Sequence, residues 1–267
     1  MTNKAVTFPS PEGLEIVAPT EAQIPYLQTL WQEAFGDPKE AVEDFFEVAY
    51  DSRRSLCATV EGLPVAALYW LDAEYEGRRL AYLYAIATAK AHRGRGICGA
   101  LMETAHVRLR KEGYAAAMLK PEGEGLFSFY RRFGYETACH IGEIQVKAEP
   151  SELILRRLTS KEYEEERRRF LPRGGVLQEG ATIELLSRGA TLYGGDGFLL
   201  ALTEREGEPF GLELLGDVSL ASGILYRLGA TSGSFRIVGH DRPFVMLRSL
   251  GEELLSPPQY FGLTLDL

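Results

Sequence analysis

The sequence predicts an α/β (α+β) fold: a mixed, mostly antiparallel sheet flanked by helices over residues 1–147, then a second, smaller α/β unit over 151–267. Three observations predict it. Strand-like runs come in pairs joined by Glu-Gly turns, as in SLCATV and PVAALYWL around Glu61-Gly62-Leu63, which is a hairpin pattern. The run LAYLYAIAT (80–88) is apolar on both faces, as a strand in the middle of a sheet must be. The second half then echoes the first, FLLALTEREGEPFGLELL repeating the plan of CATVEGLPVAALYWL.

The elements follow in order. Thr20 caps a helix over EAQIPYLQTLWQEAF, with Ile24, Leu27, Leu30, Trp31 and Phe35 at helical spacing. Gly36-Asp37-Pro38 breaks it, and KEAVEDFFEVAY gives a second helix. After the hairpin and the turn EGRR comes the buried run 80–88, then the glycine-rich HRGRGICGAL. A helix over about 96–112 follows, with Cys98, Leu101, Met102, Ala105 and Leu109 on one stripe and Gly113 as its stop. YAAAML is a strand, and LFSFYRRF is a helix with Leu126, Phe129, Tyr130 and Phe133 on one face. Gly134 ends that helix, and IGEIQV is one more strand. Beyond Pro150, SKEYEEERRRF opens the second unit as a charged helix; SLASGILYRLGATSGSFRIVG reads helix, glycine, strand, and DRPFVMLRSLG parallels LFSFYRRFGYE.

Composition narrows the function. The 267 residues are 45% hydrophobic and 25% charged, with a net charge of −9 that argues against nucleic acid and suits a cationic small substrate. Cys57, Cys98 and Cys139 lack metal-type spacing, and His92, His106, His140 and His240 form no ligand pair, so no metal is expected. MTNKAVTFPSPEG has no apolar signal core and no run approaches membrane-spanning length, so the expected compartment is the cytoplasm, with no membrane partner.

The chemistry concentrates in HRGRGICGAL. Glycines let a backbone approach a ligand closely, and arginines suit an anionic one. Gly94, Gly96 and Gly99 fit G-x-G-x-x-G, but the buried strand ends five residues before Gly94, and the next strand ends in Lys120-Pro121 where a dinucleotide site needs an acidic residue. The nicotinamide reading is therefore disfavoured. Successive N–H groups of residues 94–99, at a helix N-terminus, can instead converge on a pyrophosphate, with Arg93 and Arg95 at the rim.

IATAKAHRGRGICGAL resembles motif A of the GNAT superfamily of acyl-CoA N-acyltransferases: a buried strand, a short turn, then R/Q-x-x-G-x-G/A. Arg93, Gly96 and Cys98 hold the three signature positions. FSFYRRFGYE resembles the superfamily's F-Y-x-x-x-G-F/Y segment, with Phe129, Tyr130, Gly134 and Tyr135 in register, and its form is similar to the enhanced-intracellular-survival branch. Three positions depart: Cys98 where Gly or Ala is commoner, Lys90 for a frequent Pro, and Gly123 for a frequent Asn. The resemblance implies a GNAT-like catalytic domain with acetyl-CoA as co-substrate and a degenerate, non-CoA-binding GNAT-like second half. It implies that Ile86, Ala87 and Thr88 hold the pantetheine arm by their backbones, that Arg93, Gly94, Arg95, Gly96, Ile97, Cys98 and Gly99 hold the phosphates, and that Tyr130 protonates the departing thiolate. A phenol with pKa near 10 suits that role.

The base for the incoming ammonium stays open among Glu74, Glu76, Glu122, Glu124, His92 and, in the branch just named, the Leu267 carboxylate. Tyr69, Trp70, Tyr82 and Tyr84 are candidates for the acceptor cleft, or for core packing. The expected activity is transfer of an acetyl group to a primary amine of a small molecule. The alternatives are a non-catalytic acyl-CoA binder or regulator, and an enzyme that acylates protein N-termini or lysines. The second half would shape the acceptor pocket or a dimer interface.

Overall fold

The computed structural model describes residues 13–251 and 256–265, and they form two compact units. One holds the described residues up to Asp72, Arg78–Glu136 and 247–251; the other holds Ala73–Gly77, Thr137–Met246 and 256–265. Each is a mixed α/β assembly, as the sequence predicts.

In the first unit, strand β1 (Leu14–Val17) is followed by helices α1 (Ile24–Phe35) and α2 (Lys39–Val48), strands β2 (Ser55–Val60), β3 (Leu63–Tyr75) and β4 (Arg78–Thr88), helix α3 (Ile97–Lys111), strand β5 (Ala116–Leu119) and helix α4 (Glu124–Arg131). The strands stand in the order β1-β2-β3-β4-β5. All neighbours from β1 to β3 run antiparallel, and β4 and β5 run parallel with α3 as the crossover. Residues 21–23 form a single 3-10 turn ahead of α1 rather than its first turn; Pro25 at the start of α1 fits there because a helix's first N–H groups lack partners anyway. The α1–α2 face packs an aromatic cluster, Trp31, Phe45 and Tyr69, all nearly inaccessible, with centroids 4.8–5.6 Å apart.

Strand β6 (Glu136–Lys147) passes into the second unit. There follow β7 (Arg156–Arg157), α5 (Ser160–Phe170), β8 (Leu177–Gln178), α6 (Ala181–Gly189), β9 (Thr191–Gly195), β10 (Phe198–Arg205), β11 (Glu208–Gly216), α7 (Ala221–Leu228) and β12 (Ser232–Ser249). The order is β7-β9-β10-β11-β12 with β6 against β12, and β11 and β12 are parallel across α7. Phe198, Leu200, Leu214, Ile224, Leu225 and Phe235 form this unit's core. Thr159 and Glu162 cap α5 reciprocally, the Thr hydroxyl accepting from Glu162 N–H while the Glu carboxylate accepts from Thr159 N–H.

One expectation is corrected. DRPFVMLRSLG does not parallel the LFSFYRRFGYE helix: Asp241–Ser249 continue β12 as strand. Phe244, Val245, Met246 and Leu247 are all buried, and an uninterrupted apolar run suits a strand covered on both faces better than one stripe of a helix.

Candidate functional site

The site is built where β4 changes partner. Toward β5 its pairing covers Leu80–Tyr82, opposite Ala116–Met118, although β4 runs on to Thr88. Toward β3 the contact persists, Ala89 N–H donating to Val65 C=O at 2.9 Å. Between these points Ala85 takes φ +47°, a left-handed conformation that costs an ordinary residue on the order of 1–2 kcal/mol. The kink turns the strand, and Tyr84, Ala85 and Ile86 become half-buried where the preceding four residues are buried.

The bend after β4 is organised by hydrogen bonds. Arg93 Nε donates back to Thr88 C=O (2.9 Å), and Lys90 N–H donates to Glu33 Oε1 on α1 (2.8 Å). Gly94 and Gly96 have φ of +75° and +77°, and a Cβ on Gly94 would meet no atom within 4 Å. α3 starts at Ile97, so the N–H groups of Ile97, Cys98 and Gly99 lie in a helix's first turn, where the helix itself supplies no acceptors. Arg95 is exposed at the rim, and Arg93 is tied to the end of β4 instead of projecting freely. These features fit a pyrophosphate: open space beside Gly94, donor groups and the positive end of a helix dipole.

Tyr130 lies near the C-terminal end of α4, 8% exposed. Burial, with the Cys98 thiol a smaller contributor, raises its phenol above the ordinary range, so it stays protonated at neutral pH. Cys98 is half-buried; its thiol is pushed up to about 11, as is that of Cys57, and Cys139 to about 12, burial being the main cause in each. Leu126, expected on the buried face of α4, is exposed, because that face begins only with Phe129 and Tyr130.

The other candidates divide. Glu122 pairs with Lys120, Glu124 is exposed in the first turn of α4, and His92 Nδ1 is buried with no partner among the described residues. Glu74 and Glu76 are exposed and belong to the second unit, and Leu267 lies outside the described residues. Adjacent strand residues point to opposite faces. Tyr69 accordingly joins the α1–α2 aromatics, while Trp70 sits under Arg108 of α3 and donates to the Tyr114 hydroxyl. Tyr84 edges Trp31 at 5.5 Å and Tyr82 at 5.9 Å. Glu33 had no motif to mark it, since its role is read only from the fold. Among the described residues no group of His, Cys, Asp or Glu is arranged to hold a metal, and no helix is long and apolar enough to cross a membrane.

In the second unit the equivalent place is built differently. The β11–β12 pairing resumes beyond its irregularity, at Leu214 opposite Ile237, so these strands do not part as β4 and β5 do. Ahead of α7, Asp217 Oδ1 accepts from Ser219 N–H (2.9 Å) and its hydroxyl (2.7 Å). That carboxylate caps the 3-10 turn leading into α7, and its charge would repel an anion brought to this turn.

A parallel pair whose ladder ends at Tyr82, a glycine bend and a helix N-terminus lie together here, and residues 15–138 match the family described as "Acetyltransferase (GNAT) domain". Over those residues, a little under half of the chain, the sequence is similar to GNAT acetyltransferase domains. Similar solved structures include a GCN5-related N-acetyltransferase from Kribbella flavida (20% identity, 88% of this chain and 71% of that one, TM-score 0.68). Eis1 from Mycobacterium abscessus is similar at 15% identity (88% and 74%, TM-score 0.67), and a tandem GNAT protein from the clavulanic acid biosynthesis pathway at 13% (90% and 99%, TM-score 0.56). At these identities the likeness is one of fold, a two-domain GNAT-like arrangement. Comparison with curated proteins finds no match.

Proposed function

We propose that the protein is an N-acetyltransferase that moves an acetyl group from acetyl-CoA to a primary amine of a small molecule by direct attack in a ternary complex. The neutral amine nitrogen forms a bond to the thioester carbon and gives up one proton to water, the C–S bond breaks, and the leaving thiolate takes the Tyr130 hydroxyl proton, which water then restores. The backbones of Ile86, Ala87 and Thr88 hold the pantetheine arm along the freed edge of β4, and the bend from Arg93 to Gly99 holds the phosphates. The observation that carries this reading is that β4 runs on past its last pairing with β5 at Tyr82, through the kink at Ala85, to a glycine bend that opens a helix. Tyr130 is protonated at neutral pH and therefore has a proton to give, while burial makes the phenol a weaker acid than a free tyrosine.

We also propose that catalysis belongs to the half before residue 147, and that the half from 151 no longer binds CoA. The unparted β11–β12 pair and the carboxylate cap of Asp217 support that division.

Calorimetry with acetyl-CoA, followed by a thiol-release screen over polyamines, aminoglycosides, amino acids and peptides, tests the reading. Tyr130→Phe is expected to bind acetyl-CoA normally while kcat falls by roughly 10²–10⁴. Tight CoA binding with no turnover on any amine would instead mark a non-catalytic acyl-CoA binder, and turnover on peptides alone a protein acetyltransferase.

A further inference from the structure

A phenol that must meet a leaving thiolate needs a fixed position, and a buried polar chain reaches Tyr130 from residue 248. Arg248, near the end of β12 and within the first unit, donates through one guanidinium nitrogen to Glu103 Oε1 (2.8 Å) and to His106 Nδ1 (2.6 Å). Arginine has no acceptor, so Nδ1 carries no proton and the imidazole hydrogen sits on Nε2. Nε2 lies 2.8 Å from the Tyr135 hydroxyl, which accepts it. Tyr135 then holds Tyr130 twice: its N–H donates to the Tyr130 carbonyl (3.3 Å), and the two rings meet edge to face at 6.0 Å. His106 and Tyr135 are each 1% exposed, so the chain is shielded from water along most of its length.

We propose that Arg248, supplied from the far end of the chain, is a positioning residue for acetyl transfer: it orders His106 and Tyr135, and through them the Tyr130 phenol. This rests on Tyr130 being the acid. The groups facing His106 are Glu103 and Arg110 of α3, Arg248 of β12 and the Tyr135 hydroxyl. Burial first, then the Arg248 and Arg110 charges, keep the imidazole neutral against the pull of Glu103. A neutral ring has one donor and one acceptor nitrogen, and Arg248 decides which is which. Protonation would make both nitrogens donors and break the contact with Arg248.

The test uses the full chain with acetyl-CoA and an amine identified in the screen. Arg248→Ala is expected to lower kcat by roughly 10- to 100-fold, the scale of a small misplacement of a reacting group, while its CoA Kd stays within about threefold. Millimolar guanidinium should restore part of the loss, and Arg248→Lys should retain more activity than Arg248→Ala. The kcat–pH profile of Arg248→Ala should gain an acid limb absent from the parent, because His106 without the neighbouring guanidinium protonates more readily. His106→Gln, whose amide can still donate to Tyr135, checks the chain if Arg248→Ala folds poorly; it should keep more activity than His106→Ala. A folded Arg248→Ala with the parent's kcat and pH profile overturns the proposal. So does a loss of kcat that tracks loss of CoA binding and is not rescued by guanidinium, since that marks a purely structural arginine. Tyr130→Phe, assayed alongside, separates the two claims: full activity there removes the acid role itself.

Discussion

Gly94 shows how one residue serves both backbone and ligand. Its φ of +75° costs an L-residue about 1–2 kcal/mol, while the space its Cβ would enter holds no protein atom within 4 Å. Gly94→Ala should therefore lower stability by roughly 1 kcal/mol and, if the bend holds phosphates as proposed, weaken acetyl-CoA binding by more than that strain accounts for, because the methyl would enter the open space beside the bend. Chemical denaturation beside calorimetry separates the two effects; equal losses in both would mean the bend serves only the fold. Glu103 gives a second residue-scale expectation. The neighbouring His106 ring, 3.7 Å away, and then the hydrogen bond and charge of Arg248 hold its carboxyl at about 2, below the ordinary carboxylate value. A depressed folded-state pKa means the folded state binds fewer protons, so this contribution is present above about pH 5 and is lost as pH falls toward 2. Melting temperatures of the parent and Glu103→Gln should converge across that window. Gly94, Gly96 and Tyr130 were legible in the sequence because a motif fixes their spacing. Arg248 was not: it lies 142 residues from His106, and a lone arginine in a strand has no periodicity to single it out.

At the scale of elements, the turns carry much of what could be read in advance. Glu61-Gly62, Glu76-Gly77 and Glu206-Gly207 all pair two positive φ values, the geometry whose twist matches antiparallel strands. Glutamate is not the residue that conformation favours. Glu61→Asn should raise stability by a few tenths of a kcal/mol in a thermal melt, and a fall would mean the Glu61 side chain is engaged after all. β1 and α6 escaped notice because LEIV is too short to show alternation, and ATIELLSRG begins at a glycine with no polar cap. The Ala85 kink was illegible for a different reason: nothing in LAYLYAIAT distinguishes the residue that turns from those that do not. The long β12 was misread because the likeness of DRPFVMLRSLG to LFSFYRRFGYE outweighed its uninterrupted apolar run, which favours a strand.

For the whole molecule, the second unit depends on a charge sealed inside it. Glu213 is inaccessible and accepts from Arg167 Nε (2.8 Å) and a second guanidinium nitrogen (3.0 Å), and from the Tyr163 and Tyr260 hydroxyls (2.9 Å each). Removing one partner leaves the other charge uncompensated, so Glu213→Ala should cost about 3–5 kcal/mol, and Arg167→Met with Glu213→Leu distinctly less. Urea unfolding of the parent and the two variants reads this directly; a double variant as unstable as Glu213→Ala would deny the coupling. The sequence disclosed two related halves through their repeated plan, but not that residues 247–251 join the unit holding the cofactor bend, because strand exchange leaves the local pattern untouched. Leu250 N–H donates to Ala115 C=O there, and Arg110 to Leu250 C=O. The first unit is thus completed by residues more than a hundred positions further along the chain, so a version cut before Leu247 should lose stability in that unit although all its earlier residues are present.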